Sequence, residues 1–362
     1  MRNKKIKILF FLPHLVGGGA ERVTINIIKL LNKELYDITL VVLSKKGPSY
    51  NLLPKDLHII DLNVNKTIFS IFKLKKTIQV IKPNIIFSSI FRGHIALYFS
   101  ILGINCKANI ILRSPNSPKL ILERKELNFY MKKLLDLVYK RADKIIAQTP
   151  EMKNEIVKYH FINPNKIKVF LNPIDTKLID NKTKNIKNPF SLNDINIVAA
   201  GRIIEQKGFD ILIKSMKIVI NSNNNFKLYI IGEDVIGEQI NLEKLVKKYN
   251  LEDNIVFLGY QDNPYKYYCY SDLYVLSSRW EGLPNTILEN LYLEKPIVAT
   301  KCIPFMESLI NDKKNGFLVD IENIEQLAEA ILKYKELKPI LANPNPNSVN
   351  NIFKIKEKNE FN

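Results

Sequence analysis

Short β-branched runs alternate with helical patterns from one end of this chain to the other, and no other feature restricts its fold so tightly. In the first half the predicted strands are Ile6–Leu12, Ile38–Leu43, Leu57–Leu62, Ile85–Ser88, Asn109–Arg113, Lys144–Gln148 and Ile167–Leu171. In the second half they are Ile195–Ala200, Lys227–Ile231, Ile255–Leu258, Leu273–Leu276, Ile297–Ala299 and Gly316–Val319. Helical segments separate most of them. Thr149-Pro150-Glu151 opens one, with a capping hydroxyl, a proline at the first helical position and an acid in the first turn. Strands joined through helices run parallel, in sheets covered on both faces. The expected class is α/β, with Rossmann-like, doubly wound sheets.

A chain of 362 residues is too long for one core and suits two domains of ~180 residues. Residues 1–172 read as the first domain and 195–345 as the second. Between them, 173–194 is polar, holds Pro173 and Pro189, and reads as a linker. Residues 346–362 form a polar tail that can return to the first domain. Doubly wound domains bind ligands at the carboxyl ends of their strands, so two such domains can face each other across a central cleft.

Composition narrows the function. The apolar fraction of 46% excludes wholesale disorder, and the longest apolar runs fall short of the ~20 residues that span a bilayer. The N-terminus mimics a signal peptide, but Pro13 and His14 interrupt its apolar run. AERVTINIIKLL then continues as an amphipathic helix, so strand, glycine turn and helix is the better parse. Cys106, Cys269 and Cys302 are far apart without a CxxC pair, which fits a reducing cytoplasm. His14, His58, His94 and His160 are scattered, and neither a metal nor a cofactor is expected. The net charge of +18 is uneven: residues 1–190 carry 34 Lys and Arg against 13 Asp and Glu, and the remainder is slightly acidic. That asymmetry either reflects composition or points to an anionic partner for the first half.

Three segments carry the chemistry. In PHLVGGGAER, Gly17, Gly18 and Gly19 follow a strand and open a helix, a place where backbone amides can approach a phosphate. In AAGRIIEQKGFDILI, Gly201 turns the chain after a strand, and Arg202 and Lys207 bracket the loop with no acid matched to either. Arg as a planar fork and Lys as a point charge can clamp a diphosphate there. In SSRWEGLPNTILENL, Glu281 precedes a helix that starts near Pro284, and Glu289 lies inside it. A carboxylate accepts two hydrogen bonds and can grip a vicinal diol.

Together with IIGE, IVFLGYQDNPYKY, KPIVAT and NGFLV, these segments resemble, in order, the retaining glycosyltransferases of family 4 with the GT-B fold. The likeness is densest over 195–335 and is closest to bacterial enzymes of capsule, lipopolysaccharide O-antigen and other surface glycans. It implies a nucleoside diphosphate sugar as donor and a lipid-linked glycan as acceptor. Arg202 and Lys207 match the pair that holds the donor diphosphate. Glu289 matches the ribose-binding second Glu of the E-x₇-E motif, and Glu281 the first, which contacts the transferred sugar. Gly17–Gly19 match the loop near donor phosphate and acceptor, while Gly201, Gly232, Gly259, Gly282, Leu283 and Asn285 complete the implied donor site. Glu281, Arg202 and Lys207 are the implied catalytic set.

The chain departs from that pattern in four places. Asn290 replaces a small Ala, Glu294 replaces Gly, and the segment before Glu307 lacks the usual glycine-rich loop. RSPNSP stands where many relatives place a histidine, so Arg113, Asn116 and His94 are the acceptor-side candidates. The segment Glu123–Arg141 pairs Leu127, Tyr130, Met131, Leu134, Leu135 and Val138 with Lys132, Lys133, Lys140 and Arg141, and Ile68–Lys82 is similar. Basic amphipathic helices either pack on their own sheet or lie on anionic membrane. The alternative functions are a GT-B-fold sugar-nucleotide epimerase, which needs no acceptor, and a basic nucleic-acid binder. No nucleic-acid module is recognisable, and nucleic acid is not an expected partner.

Overall fold

The computed structural model describes residues 5–124, 128–338 and 349–353. Leu127 and most of the tail therefore lie outside the described residues. The chain divides into two units: one formed by the residues up to Asp175 together with 349–353, the other beginning at Thr176.

The first unit is built on seven strands: β1 (Ile6–Phe11), β2 (Tyr36–Val42), β3 (His58–Asp61), β4 (Ile85–Ser88), β5 (Asn109–Arg113), β6 (Lys144–Ala147) and β7 (Ile167–Val169). All pair in parallel, in the order β3-β2-β1-β4-β5-β6-β7. The second is built on six: β8 (Ile195–Ala200), β9 (Phe226–Ile231), β10 (Ile255–Gly259), β11 (Leu273–Leu276), β12 (Ile297–Thr300) and β13 (Gly316–Val319). They too are parallel, in the order β10-β9-β8-β11-β12-β13. Each predicted strand exists, with ends shifted by at most two residues. In each sheet the winding reverses once, between β1 and β4 and between β8 and β11, and the loops leaving those strands are the expected ligand sites.

Alternation along the strands feeds two core layers. On β1, Leu9 and Phe11 pack with Leu74, Leu97 and Val138 of the helices Ile71–Ile81, Phe91–Ile101 and Phe129–Arg141. Ile8 and Phe10 point to the other layer, with Val23 and Ile27 of the helix Gly19–Leu30. Phe353 completes that second layer, its ring centroid 5.7 Å from both Phe10 and Phe87. Lys144 and Lys168 donate to the carbonyls of Ile352 and Asn351, at 2.9 and 2.8 Å.

The stretch read as a linker contains a helix, Thr176–Thr183, that belongs to the second unit. Its Ile179 is fully buried, and Tyr292 donates to Asp180 at 2.8 Å. Eight residues are too few to show a helical period in the sequence, so tertiary contacts decide this helix.

Candidate functional site

In the second unit three glycines line the carboxyl ends of adjacent strands. Gly201 donates to Ile231 O and Gly232 to Gly259 O, both at 2.9 Å. A Cβ on Gly232 would lie 1.7 Å from Gly201 O, so only glycine lets the two backbones approach this closely. Gly208, at φ +61°, ends the loop that leaves β8, and a Cβ there would meet Ser277 O at 2.1 Å. The loops after β8 and β11 are thereby pressed together at the switch point.

That closeness brings Lys207 and Glu281 into contact. Lys207 Nζ lies 2.5 Å from Glu281 Oε1, and the two side chains are 15% and 10% exposed. The expectation that no acid matches Lys207 is corrected: its partner is 74 residues away and reaches it across the switch point. Ser278 Oγ also donates to Glu281 Oε1, at 2.8 Å, and Gln206 donates to Trp280 O. Arg202 is exposed, and no hydrogen bond or ion pair holds its side chain among the described residues.

Glu289 sits on the helix Asn285–Tyr292, 2% exposed, and accepts from Tyr265 Oη at 3.3 Å. Tyr274 of β11 lies beneath both carboxylates. Burial, and then the charges of Glu289 and Glu281, hold its phenol above the usual tyrosine range. Cys302, after β12, is pushed up to about 12 by burial and then by Glu281, so it is a thiol here. Gly282 and Asn285 are half-buried and Leu283 is buried at the start of that helix; Glu307 is exposed. Asn290, the first departure from the family pattern, is fully buried and donates to Thr286 O at 2.8 Å. Glu294, the second, adopts φ +54°, the left-handed conformation a glycine would favour.

Arg279 was not legible as a site residue. Its guanidinium grips Asp210 with two bonds of 2.8 and 2.9 Å, donates to Glu205 O at 2.7 Å, and pairs with Glu322. Its own amide donates to Gln206 O. The bond to Asp210 leads the causes that raise its pKa. Arg279 thus straps the loop carrying Lys207 to the loop carrying Glu281. The signal available in the sequence was a lone Asp in the first turn after Gly208, a position that calls for a cation partner.

In the first unit the glycine loop is already satisfied. The amides of Gly17 and Gly18 donate to Glu21 Oε2 at 2.8 and 3.2 Å, and Gly19 begins the helix. The expected open amides are therefore occupied by a carboxylate of their own helix. At the end of β5, His94 is fully buried. Its Nε2–H donates to Arg113 O at 3.1 Å and its Nδ1 accepts from Ser88 Oγ at 2.9 Å. Burial lowers its pKa to about 3, so it is neutral, and with both nitrogens bound it cannot reach an acceptor.

Arg113 is also buried, bonded to Asn172 Oδ1 at 2.5 Å, its pKa lowered to about 9 by burial. Asn172 donates to Gln148, which donates to the carbonyls of Ser114 and Pro115. His94 and Arg113 thus support the loop, and only Asn116 is exposed on it. The histidine that reaches the switch-point loop is His14, half-buried after β1, its pKa lowered by burial and by Arg92. No cluster of three potential metal ligands occurs among the described residues.

Two family models match the chain: Glycosyltransferase Family 4 over residues 17–178 and Glycosyl transferases group 1 over residues 180–350. An N-acetylgalactosamine-N,N'-diacetylbacillosaminyl-diphospho-undecaprenol 4-alpha-N-acetylgalactosaminyltransferase of Campylobacter jejuni is 26% identical, over 90% of this chain and 89% of that protein. An uncharacterized glycosyltransferase of Haemophilus influenzae is 28% identical, over 90% and 89%. Among solved structures, Anabaena HepE in complex with UDP and glucose superposes with a TM-score of 0.77 at 20% identity, over 96% of this chain and 97% of that one. The fold is GT-B.

Proposed function

Since the chain belongs to the glycosyltransferases, its first half of the family 4 type and its second of group 1, we propose that it moves a sugar from a nucleoside diphosphate donor onto a lipid-linked glycan during surface polysaccharide synthesis. The observation that carries this reading is the meeting of Lys207 with Glu281 across the switch point of the second sheet, beside Arg202 and ahead of Glu289. Arg202 and Lys207 take the donor diphosphate and stabilise the charge that builds on it as the glycosidic bond breaks. Glu281 turns from Lys207 to the hydroxyls of the transferred sugar, and Glu289 takes the ribose diol. No protein nucleophile is invoked, and the transfer retains the anomeric configuration, as in the family the sequence resembles.

The Campylobacter relative's name supports a lipid diphosphate as the acceptor's carrier. In this reading His14, half-buried, and Asn116, exposed, serve the acceptor. We assign the enzyme to the cytoplasm, where its three cysteines, all free thiols, are stable.

The test is a thermal-shift screen over UDP-, GDP- and ADP-sugars. Binding stabilises by RT ln(1 + [L]/Kd), about 2.7 kcal/mol at a hundredfold excess over Kd. One nucleotide should stand out, and Glu289→Ala should weaken its binding along with turnover. Intact nucleotide affinity in that variant would remove Glu289 from the ribose. A new sugar nucleotide formed without any acceptor would make the protein an epimerase instead.

A further inference from the structure

The switch point of the first sheet carries a pair of side chains that the donor chemistry does not use. There β1 runs on into the loop holding His14, and β4 into the helix Phe91–Ile101, which begins with Arg92 in its first turn. Gly93 brings the two segments together. A Cβ at that position would lie 3.1 Å from both Pro13 Cγ and Ser88 Oγ, so its absence lets the helix settle on Pro13. Arg92 and His14, each next in sequence to one of these contacting residues, then face each other.

The backbone on either side of His14 is fixed. Pro13 O accepts the Leu43 amide and Leu15 O the Ser49 amide, both at 3.1 Å. Gly47 packs on the same carbonyl, where a Cβ would meet Leu15 O at 2.2 Å. The Thr24 and Ser89 hydroxyls bond to each other and tie the helix Gly19–Leu30 to the end of β4. A binding pair gains its precision from such rigid support.

Neither side chain has a counter-charge. Among the described residues, no hydrogen bond or ion pair holds the exposed guanidinium of Arg92 or the half-buried imidazole of His14. Between Asp61 and Glu123 the chain has no carboxylate side chain at all. Between Pro13 and Arg22 it has one, Glu21, which is 4% exposed and committed to the amides of Gly17 and Gly18. Burial and then the Arg92 charge lower the pKa of His14, and no acid opposes them. Two basic groups held together without an anion add nothing to folding, since each disfavours the charge of the other. Their natural complement is an anion from outside.

We propose that Arg92 and His14 bind the diphosphate that joins the acceptor glycan to its lipid, Arg92 as a two-pronged donor and His14 through one ring N–H. This rests on the reading of the chain as a transferase to a lipid-linked glycan, and it adds the residues that recognise the link itself. The donor's own diphosphate, in that reading, meets Arg202 and Lys207 in the second unit. No bond is made or broken at Arg92 and His14, because at least one sugar separates the reacting hydroxyl from the diphosphate.

The experiment is calorimetric titration of the full chain with farnesyl diphosphate, a short and soluble lipid diphosphate, and with farnesol. The diphosphate should bind at least about tenfold more tightly than the alcohol. Arg92→Gln should weaken the diphosphate about tenfold or more and leave farnesol unchanged, while His14→Gln should weaken it about threefold. Arg92→Lys, which keeps the charge and loses the fork, should fall between the parent and Arg92→Gln. Arg202→Gln and Lys133→Gln/Lys140→Gln should both leave the affinity for farnesyl diphosphate unchanged. Each Arg92 variant should keep the parent's melting temperature, since the side chain is exposed. No binding, or equal binding by the parent and Arg92→Gln, overturns the proposal. A loss in Arg202→Gln that matches the one in Arg92→Gln also overturns it, by moving the probe to the donor site. The same loss in Lys133→Gln/Lys140→Gln would reduce the effect to general positive charge and overturn it too. If no sugar nucleotide shifts the melting temperature while Arg92→Gln still weakens farnesyl diphosphate, the transferase reading falls and the anion site stands.

Discussion

Lys207 Nζ and Glu281 Oε1 lie 2.5 Å apart, and each is the other's charge partner at the switch point of the second sheet. Both groups are mostly withdrawn from water, so neither can lose its partner cheaply. Under the proposed function, donor binding would exchange one anion on Lys207 for another and free Glu281 for the sugar.

Removing the cation alone should expose that coupling. Lys207→Met should destabilise the second unit by about 2–3 kcal/mol, somewhat less than a wholly buried pair would lose. Lys207→Met/Glu281→Leu should recover much of that stability and none of the transferase activity. Denaturant unfolding of the single and double variants decides it; equal stability of Lys207→Met and parent would mean the pair contributes nothing to folding.

Arg279 should behave as a positioning residue. Arg279→Lys keeps the charge and loses the two-pronged grip on Asp210, which should cost about 1–2 kcal/mol and raise the donor KM more than it lowers kcat. Steady-state kinetics with varied donor will show the split. A fall confined to kcat would place Arg279 in the chemical step.

His94 makes a pH prediction with a definite sign. Its folded pKa of about 3 lies below the ordinary 6.5, so the unfolded chain binds a proton that the folded one refuses. The stability it supports is complete above pH 6.5 and is lost as the pH falls toward 3, by about 1.4 kcal/mol per pH unit. His160, also lowered by burial, has the same sign, so the comparison is between variants. Urea unfolding at pH 4.5 and pH 7.5 should show a shallower pH dependence in His94→Asn than in the parent.

Glu294 holds a left-handed backbone conformation that costs a side chain roughly 1–2 kcal/mol. After the extra chain entropy of glycine is subtracted, Glu294→Gly should stabilise the protein by about 0.5–1 kcal/mol. A lower melting temperature in that variant would mean the Glu294 side chain makes a contact worth more than the strain.

The strands were legible because parallel sheets buried on both faces demand continuous β-branched runs, and such runs need no distant information. Glu281, Arg202 and Lys207 stood out because their loops follow strands, and Glu289 because it lies in the helix that follows one of those loops. What could not be read was pairing over distance: Lys207 with Glu281, Arg279 with Asp210, and the Gly17 and Gly18 amides with Glu21 in place of a ligand. His94 drew attention as a lone histidine in an apolar helix, but only burial shows both nitrogens occupied. The helix at Thr176–Thr183 stayed hidden because its one buried side chain, Ile179, leaves no period to detect.

Phe353 closes an aromatic cluster begun by Phe10, Tyr36 and Phe87, and this fixes an order of events during synthesis. Those three rings leave the ribosome early, yet the ring that covers them emerges only after the whole second unit has been translated. From Phe87 to Phe353 is 266 residues, an interval of roughly 13–53 s at ordinary rates of elongation. Throughout it the nascent first unit carries an uncovered aromatic socket, a ready target for a chaperone, while the second unit already has every strand of its own sheet.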